Sequence, residues 1–579
     1  MRNNKKYSII LVAASLIVMI VWSTGLLSSS RRDYYATVSR NIKIFGEVYK
    51  ETAKNYVEEI DPEKFMRAGI NGMMDNIDPY SVFLEKDAQD DIEIMTRGKY
   101  YGVGMRISKR NGWPTVAEQP FANSPAAKAG IREGDQITEI NKASTKGLSL
   151  SKTASKLRGK KKGSTVTIQI KRVGVEEPIT FSLVRDEIIV SDIQYSGFVE
   201  PGIGLIKLNV LNRGAEKQVK DSIEDLLDQG VESLILDLRG NPGGLLDVAV
   251  SVLGNFVSRG EMVVYTKGRN PNSSKEYRTS DSPVFGSLPM VVLVNEYSAS
   301  ASEIVAGAIQ DLDRGVVIGE PTFGKGLVQT VLPIDRSSSG EVSLKLTTAK
   351  YYLPSGRLIQ KEDVFKHGPQ SVLWSPESDE TDEESSEDKE NSKDETKYFT
   401  QNGRQVNGGG GIKPDIESDN GKTTRYVGEL MRQSMFFNFS LQYASAHSDF
   451  TSDSEISDKI LDEFLKFVEE QDFDFEAPGT SQLESLEKVS REGEFYEDME
   501  SEFTQIRQKF EIVKDREKTK STKDIKYLLK RELIAKLAGN DSAYATSFER
   551  DTTLKEAVTV LKNKEEYNRL LGVQTASSK

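Results

Sequence analysis

Cysteine is absent from this 579-residue chain, and histidine occurs only twice, at His367 and His447. The first absence removes thiol nucleophiles, thiolate metal sites and disulfides together, and leaves the redox compartment open. The second leaves almost no material for a Ser-His-Asp triad or a histidine-rich zinc site. His367 lies beside an acidic tract and His447 in the serine-rich Ala444-Ser-Ala-His-Ser-Asp449, so both are read as surface residues. A basic excess is missing too: formal net charge is −12, which argues against nucleic acid as a partner. A hydrolase built from this composition needs a base other than histidine.

What is present begins with Arg2, Lys5 and Lys6 ahead of an uncharged apolar run from Ile9 through Trp22 to Leu27. The run is about long enough to cross a bilayer, and the positive residues before it predict a cytoplasmic amino end. Residues 1–30 are therefore expected to be an uncleaved anchor spanning 9–27, with a cleaved signal peptide as the alternative. Either way the body of the protein is expected outside the cytoplasm, in the periplasm or cell envelope, with an inner-membrane tether through 9–27. Over 31–97 the apolar residues fall at helical spacing, as in Ile42, Phe45, Val48 and Phe65, Met66, Ile70, with Asp61-Pro62 between the two stretches. This unit reads as a dimerisation or docking element or as a cap on the next domain.

Residues 98–187 hold Tyr101-Gly-Val-Gly104, the run Ser124-Pro-Ala-Ala-Lys-Ala-Gly-Ile-Arg-Glu-Gly-Asp-Gln-Ile-Thr-Glu-Ile-Asn141, a short helix near Ser151–Leu157 and a strand pattern over Thr165–Lys171. They resemble a PDZ domain, with Tyr101, Gly102, Val103 and Gly104 at the position of the carboxylate-binding loop. Backbone N–H groups in such a loop make a nest for a terminal carboxylate, and the adjoining strand edge accepts the peptide as an added strand.

Residues 188–416 read as one core, and from about 188 to 360 strand and helix patterns alternate: Ile203–Leu208, Ala215–Leu227, Leu234–Leu238, Leu245–Phe256, Met262–Tyr265 and Met290–Val294. This predicts an α/β layer with ligands at the carboxyl ends of strands, so that the Gly243-Gly244 loop and the turn after Val294 converge on one pocket. An acidic, serine-rich insertion over about 361–397 has nothing apolar to bury and is expected to be disordered. Structure is expected to resume near Tyr398, with Gly408-Gly-Gly-Gly-Ile-Lys-Pro-Asp415 returning to the α/β layer. Residues 417–579 are mostly helical by periodicity and carry no visible chemistry, which fits a scaffold or interaction domain.

The turn itself, Asn295-Glu-Tyr-Ser-Ala-Ser-Ala-Ser-Glu303, places three serines before a helix whose N-terminus can stabilise developing negative charge. Downstream, Lys325 sits between Gly324 and Gly326 beside Phe323, Leu327 and Val328. Burial among apolar groups depresses a lysine pKa by up to ~3–5 units, which would make it a usable base. Ser298 and Ser302 are expected to be capping groups and Glu303 a residue serving the helix dipole or a local pair. Asp237 is read as structural, and Pro242 in Asn241-Pro-Gly-Gly244 leaves that loop without a nucleophile.

Ser298-Ala-Ser-Ala-Ser-Glu303, Gly319-Glu-Pro-Thr-Phe-Gly-Lys-Gly-Leu-Val-Gln329, Arg239-Gly-Asn-Pro-Gly-Gly244, Tyr352-Leu-Pro-Ser-Gly-Arg357 and Gly411-Ile-Lys-Pro-Asp415 together resemble the carboxyl-terminal processing peptidases, or tail-specific proteases. The resemblance implies a multi-domain α/β protein with a crotonase/ClpP-like protease core, a PDZ domain, an N-terminal helical segment and a C-terminal mostly helical domain. It implies a Ser-Lys endopeptidase without cofactor or metal, in which Ser300 is the nucleophile, Lys325 the base and Gln329 the residue that orients the lysine amine. The oxyanion donors would be the N–H of Ala301 and that of Gly243 or Gly244. Its substrates would be proteins and peptides with free carboxyl termini, and an adaptor or lipoprotein partner and a homo-oligomer are compatible with it. A membrane-tethered PDZ adaptor with an inactive protease-like domain is the alternative.

Overall fold

The computed structural model describes residues 34–85, 92, 94, 96–334, 342–361 and 397–573, other than 422, 448, 449, 452, 453 and 472. The expected anchor at 9–27, His367 and the acidic tract lie outside the described residues. Among those described, no helix is long and apolar enough to cross a membrane. The described chain divides into two compact units, one of residues 34–83 and one of the rest.

In the first unit, helices α1 (34–55) and α2 (Pro62–Met74) are separated at Asp61-Pro62 as the spacing predicts. Asp61 Oδ1 accepts from the N–H groups of Glu63 and Lys64 at 3.0 and 3.2 Å, and Pro62 occupies the first turn, where its missing N–H costs nothing. Tyr49 stacks on Phe65 at 5.4 Å, while Ile42, Ile44, Val48 and Met66 remain exposed.

From Lys99 onward the second unit contains β1 (Lys99–Gly102), β2 (Ile107–Arg110) and β3 (Trp113–Val116). Next come α3 (Pro125–Lys128), β4 (Gln136–Ile140), α4 (Leu150–Leu157), β5 (Thr165–Lys171), β6 (Ile179–Val184) and β7 (Asp186–Ile189). The sheet order is β2-β3-β4-β5-β6, with β1 paired to β7, so β2 has one free edge. β5 keeps the expected bounds because Val166, Ile168 and Ile170 alternate into the core while their neighbours face out.

Next come β8 (Ile193–Glu200), β9 (Ile203–Leu208), α5 (Ala215–Asp228), β10 (Ser233–Asp237), α6 (Leu246–Leu253) and β11 (Met262–Lys267). After them lie β12 (Met290–Val294), α7 (Ala301–Asp311), β13 (Val316–Gly319), β14 (Leu327–Pro333), β15 (Val342–Tyr352) and β16 (Ile416–Glu417). The main sheet runs β8-β9-β10-β12-β13-β16, parallel except at β8-β9, while β14 and β11 both pair with β15. α6 ends at Leu253, earlier than expected, because the chain tightens into turns with Gly254 and Asn255 bonded back to Val250, Ser251 and Val252.

The apolar runs of β9, β10, β12 and β13 have a simple cause: both faces of the sheet are buried. One face, including Ile206, Leu236, Val292 and Val317, packs with α5, α6 and α7. The other, including Leu205, Ile235, Val291, Leu293 and Ile318, is covered by α14 (Thr552–Lys562) and α15 (Lys564–Leu570), through Leu554, Ala557, Val558 and Tyr567. The last helices therefore complete the α/β layer, a role that helical periodicity alone does not reveal. Before them lie α8 (Arg425–Arg432), α9 (Met435–Ala446), α10 (Asp458–Glu470), α11 (Thr480–Glu492), α12 (Tyr496–Ala538) and α13 (Asn540–Ala545). α8, α9, α10 and α12 share their own core around Phe436, Phe439, Phe464 and Leu529.

Between β7 and β8, the buried Asp192 carboxylate accepts from Asn212 Nδ2 and, at 2.9 Å, from Gln218 Nε2. Burial pushes this carboxyl up to about 7. The native state therefore holds the proton more tightly than the unfolded chain, and stability falls as pH rises from about 4 to about 7. The melting temperature is expected to drop more steeply between about pH 4 and about pH 7 in the wild type than in Asp192→Asn. Parallel calorimetric profiles at matched ionic strength would contradict this.

Candidate active site

β9, β10, β12 and β13 all present their carboxyl ends to one edge, where the loops 238–244, 295–300 and 320–326 meet. Ser300 occupies the N-cap of α7 with φ +55° and ψ −115°. A residue with a Cβ held there costs about 1–3 kcal/mol, strain that persists only where the surroundings enforce it.

The enforcing residue is Glu303, whose side chain is fully buried. Its Oε2 accepts from the N–H of Ser300 at 2.8 Å and from the N–H of Lys325 at 2.9 Å, so the two nitrogens can be no further apart than those two bonds allow. Its Oε1 accepts from the Gly324 N–H at 2.7 Å and the Thr322 hydroxyl at 2.5 Å. Burial pushes the carboxyl up, and the Thr322, Lys325, Gly324 and Ser300 donors oppose that shift. On the carbonyl side, the Tyr351 hydroxyl lies 3.1 Å from Ser300 O and 2.6 Å from Lys325 O. The serine turn and the lysine loop are thus clamped at both their N–H and C=O groups. Lys325 is only 8% exposed as a whole residue, while Ser300 is half-buried.

The flanking serines differ from the expectation that they cap a helix. Ser298 Oγ accepts from Asn295 N at 3.0 Å and donates to Leu238 O at 2.9 Å, and Ser302 Oγ donates to Asn241 O at 3.0 Å. Both are buried and staple the turn to the 238–244 loop. That loop approaches closely: a Cβ on Gly243 would sit 2.6 Å from Ala299 O, 2.8 Å from Ala301 N and 3.0 Å from Ser300 Cβ. With φ +100° at Gly243 and +152° at Gly244, only glycine fits both the space and the backbone. The Gly243 N–H donates to Asn241 Oδ1 at 2.9 Å, whereas Gly244 has no such bond within the loop.

Two further motifs hold the far end of α7. Arg357 Nη2 donates to Gln310 Oε1 at 2.8 Å, and Gln310 Nε2 donates to Asp415 Oδ1 at 2.9 Å. Asp415 Oδ2 accepts from Val317 N at 2.8 Å, and β16 then joins the sheet, as the returning loop predicts. Gln329 lies half-buried on β14, where its Nε2 donates to Thr347 Oγ1 at 3.4 Å. His447 is exposed and stacks on Tyr443. Among the described residues, no group of three or more histidine, cysteine or acidic side chains could hold a metal ion.

Asp237 is fully buried between Arg239 and Lys207. Burial alone would raise its carboxyl, but Arg239 and Lys207 hold it well below the usual carboxylate range. Glu303, Asn241 and Tyr351 are the site residues that motif reading missed or undervalued. The S-x-x-E spacing of Ser300 and Glu303, a capping-box pattern, is the one signal that pointed to the first.

In the preceding module, Tyr101 and Gly102 end β1, and the Val103 and Gly104 carbonyls point inward, to Ala126 N at 2.9 Å and to Phe121 N at 3.0 Å. Gly104 has φ +78°, and a Cβ on it would meet Ser124 Cβ at 2.3 Å. The loop leads directly into β2, whose free edge lies beside α4.

Residues 202–367 match the family model of Peptidase family S41, and residues 102–183 match that of the PDZ domain. Residues 426–561 match a probable PDZ-protease C-terminal helical domain and residues 23–88 the activating protease CtpB N-terminal domain. The carboxy-terminal-processing protease of Bartonella bacilliformis is 35% identical over 61% of this chain and 78% of its own length. The carboxy-terminal processing protease CtpA of Bacillus subtilis is 32% identical over 63% and 76%. A solved photosystem II D1 C-terminal processing protease is 27% identical over 56% of this chain and 91% of its own, at a TM-score of 0.31. The chain belongs to the carboxy-terminal processing proteases of peptidase family S41.

Proposed function

We propose that this chain is an extracytoplasmic serine endopeptidase that captures the free carboxyl terminus of a protein on its PDZ domain and cleaves near that end. Ser300 Oγ attacks the scissile carbonyl carbon while the neutral Lys325 amine takes the hydroxyl proton. The oxyanion faces the N–H of Ala301 at the start of α7 and that of Gly243 or Gly244. Donation from Gly243 requires it to give up Asn241, and Gly244 is under no such constraint. Collapse breaks the C–N bond, and the Lys325 ammonium returns its proton to the leaving amine. The same amine then deprotonates a water that hydrolyses the Ser300 ester. Gln329 orients the amine on this reading, after releasing Thr347.

The observation that carries the proposal is the shared Glu303 oxygen, which fixes the backbone of a strained, half-exposed serine next to that of a buried lysine. Capture rests on the Tyr101–Gly104 loop and the free edge of β2. An unstructured substrate protein with a free carboxylate is expected to be cleaved with a KM at least about ten-fold below that of its C-terminally amidated form, since a carboxylate in a backbone nest makes charge-assisted bonds. Intact-mass spectrometry of timed digests measures both. Equal rates for free and blocked termini would overturn the capture role, and no cleavage of either would favour the PDZ adaptor.

A further inference from the structure

The loop that carries Gly243 and Gly244 leaves β10 at Asp237 and is held there by a buried charge network. Asp237 Oδ1 accepts from the Arg239 N–H at 2.9 Å, from Arg239 Nε at 3.1 Å and from Lys207 Nζ at 3.2 Å. Asp237 Oδ2 accepts from Arg239 Nη2 at 2.7 Å. Lys207 Nζ also donates to the Arg239 carbonyl. One carboxylate thus faces two cations. The second carboxylate comes from the far end of the chain: Asp551 takes Arg239 Nη1 and Nη2 on its two oxygens at 2.9 and 2.7 Å. Tyr544 adds a hydroxyl that donates to Asp237 Oδ2 at 3.0 Å.

We infer that Asp551, with Tyr544, is a positioning residue for the oxyanion loop, so that the C-terminal helices set the catalytic geometry as well as covering the sheet. The inference rests on the Ser300-Lys325 reading above. With Asp551 in place, Lys207, Arg239, Asp237 and Asp551 sum to neutrality. Without it a buried excess cation lies at the base of the loop, and Arg239 is drawn toward water. Asn241, whose carbonyl accepts from Ala299 N and Ser302 Oγ, lies two residues beyond Arg239, and Gly243 four. A shift at Arg239 therefore reaches the groups packed on Ser300. The bidentate geometry supports this role, since a guanidinium held on both nitrogens is fixed in orientation as well as place.

Asp551→Asn isolates the effect, because Asp551 also caps α14 through Leu554 N at 2.9 Å and asparagine caps as well as aspartate. Against β-casein and a fluorogenic unstructured peptide with a free carboxylate, kcat of Asp551→Asn is expected to fall by about 10- to 100-fold with KM within about two-fold of wild type. Tyr544→Phe keeps the ring packed on Tyr195 and Phe548 and is expected to lower kcat in the same sense, so the outcome does not depend on how well Asp551→Asn folds. Asp524→Asn, which breaks the neighbouring Arg550–Asp524 pair at 2.6 Å, is the control and should leave kcat unchanged. Wild-type kcat in both Asp551→Asn and Tyr544→Phe, or equal losses in Asp524→Asn, would overturn the inference. Failure of the underlying reading has a separate signature: Ser300→Ala as active as wild type.

Discussion

Replacing Lys325 by alanine is expected to lower kcat toward an unstructured protein by about 10²- to 10⁴-fold, the range spanned by loss of a positioned general base. The described site holds no histidine to replace it. Glu303 and Tyr351 hold residue 325 through its N–H and carbonyl, so the loop should stay in place without the side chain. The loss should therefore fall on kcat, with capture at the PDZ domain and KM little changed. Lys325→Arg keeps a long basic side chain but cannot be deprotonated, and should be equally inactive. Initial rates across a substrate series measure both. A Lys325→Arg variant with near-wild-type turnover would contradict the assignment of a neutral amine as base.

Glu303→Gln is expected to cost about 10²-fold in kcat, the loss that follows from displacing reacting groups by about 1 Å. Each carboxylate oxygen of Glu303 serves two donors: Ser300 N and Lys325 N on one, Gly324 N and Thr322 Oγ1 on the other. An amide offers one acceptor and one donor group, so whichever way it turns, a pair of buried donors faces an NH₂. Leaving buried donors unsatisfied costs about 1–3 kcal/mol each, and a strained Ser300 backbone is the part free to relax. Glu303→Asp, with the charge retained and the reach shortened, should fall between Gln and wild type. Kinetics with a melting curve separate the two consequences. A variant that loses stability while keeping kcat would show that Glu303 holds the fold and leaves the site alone.

How much of this was legible beforehand depended on the range over which each residue acts. The strands of the central sheet read as apolar runs because both their faces are buried, and β12 matches its run residue for residue. The serine turn and the lysine loop were recognisable through local motifs. The sequence around Glu303 shows only its place in the first turn of α7, because two of its backbone donors, Gly324 and Lys325, lie in another loop. The pattern around Ser298 and Ser302 predicts caps, since nothing local shows that Leu238 and Asn241 lie opposite them. Asp551 and Tyr544 were invisible for the same reason on a larger scale: their partners, Arg239 and Asp237, lie over 300 residues away in sequence. Hydropathy and spacing record which face of an element is buried. They do not record what is buried against it.

The central claim is that Ser300 is the nucleophile, and the most direct measurement is turnover of an unstructured protein with a free carboxyl terminus by Ser300→Ala, with Ser298→Ala and Ser302→Ala beside it. Ser300→Ala should show no cleavage above background while still binding the substrate's terminus. The other two should keep measurable turnover with lowered melting temperatures, because they staple loops together. Cleavage by Ser300→Ala at the wild-type rate, or its loss in Ser298→Ala alone, would contradict the account.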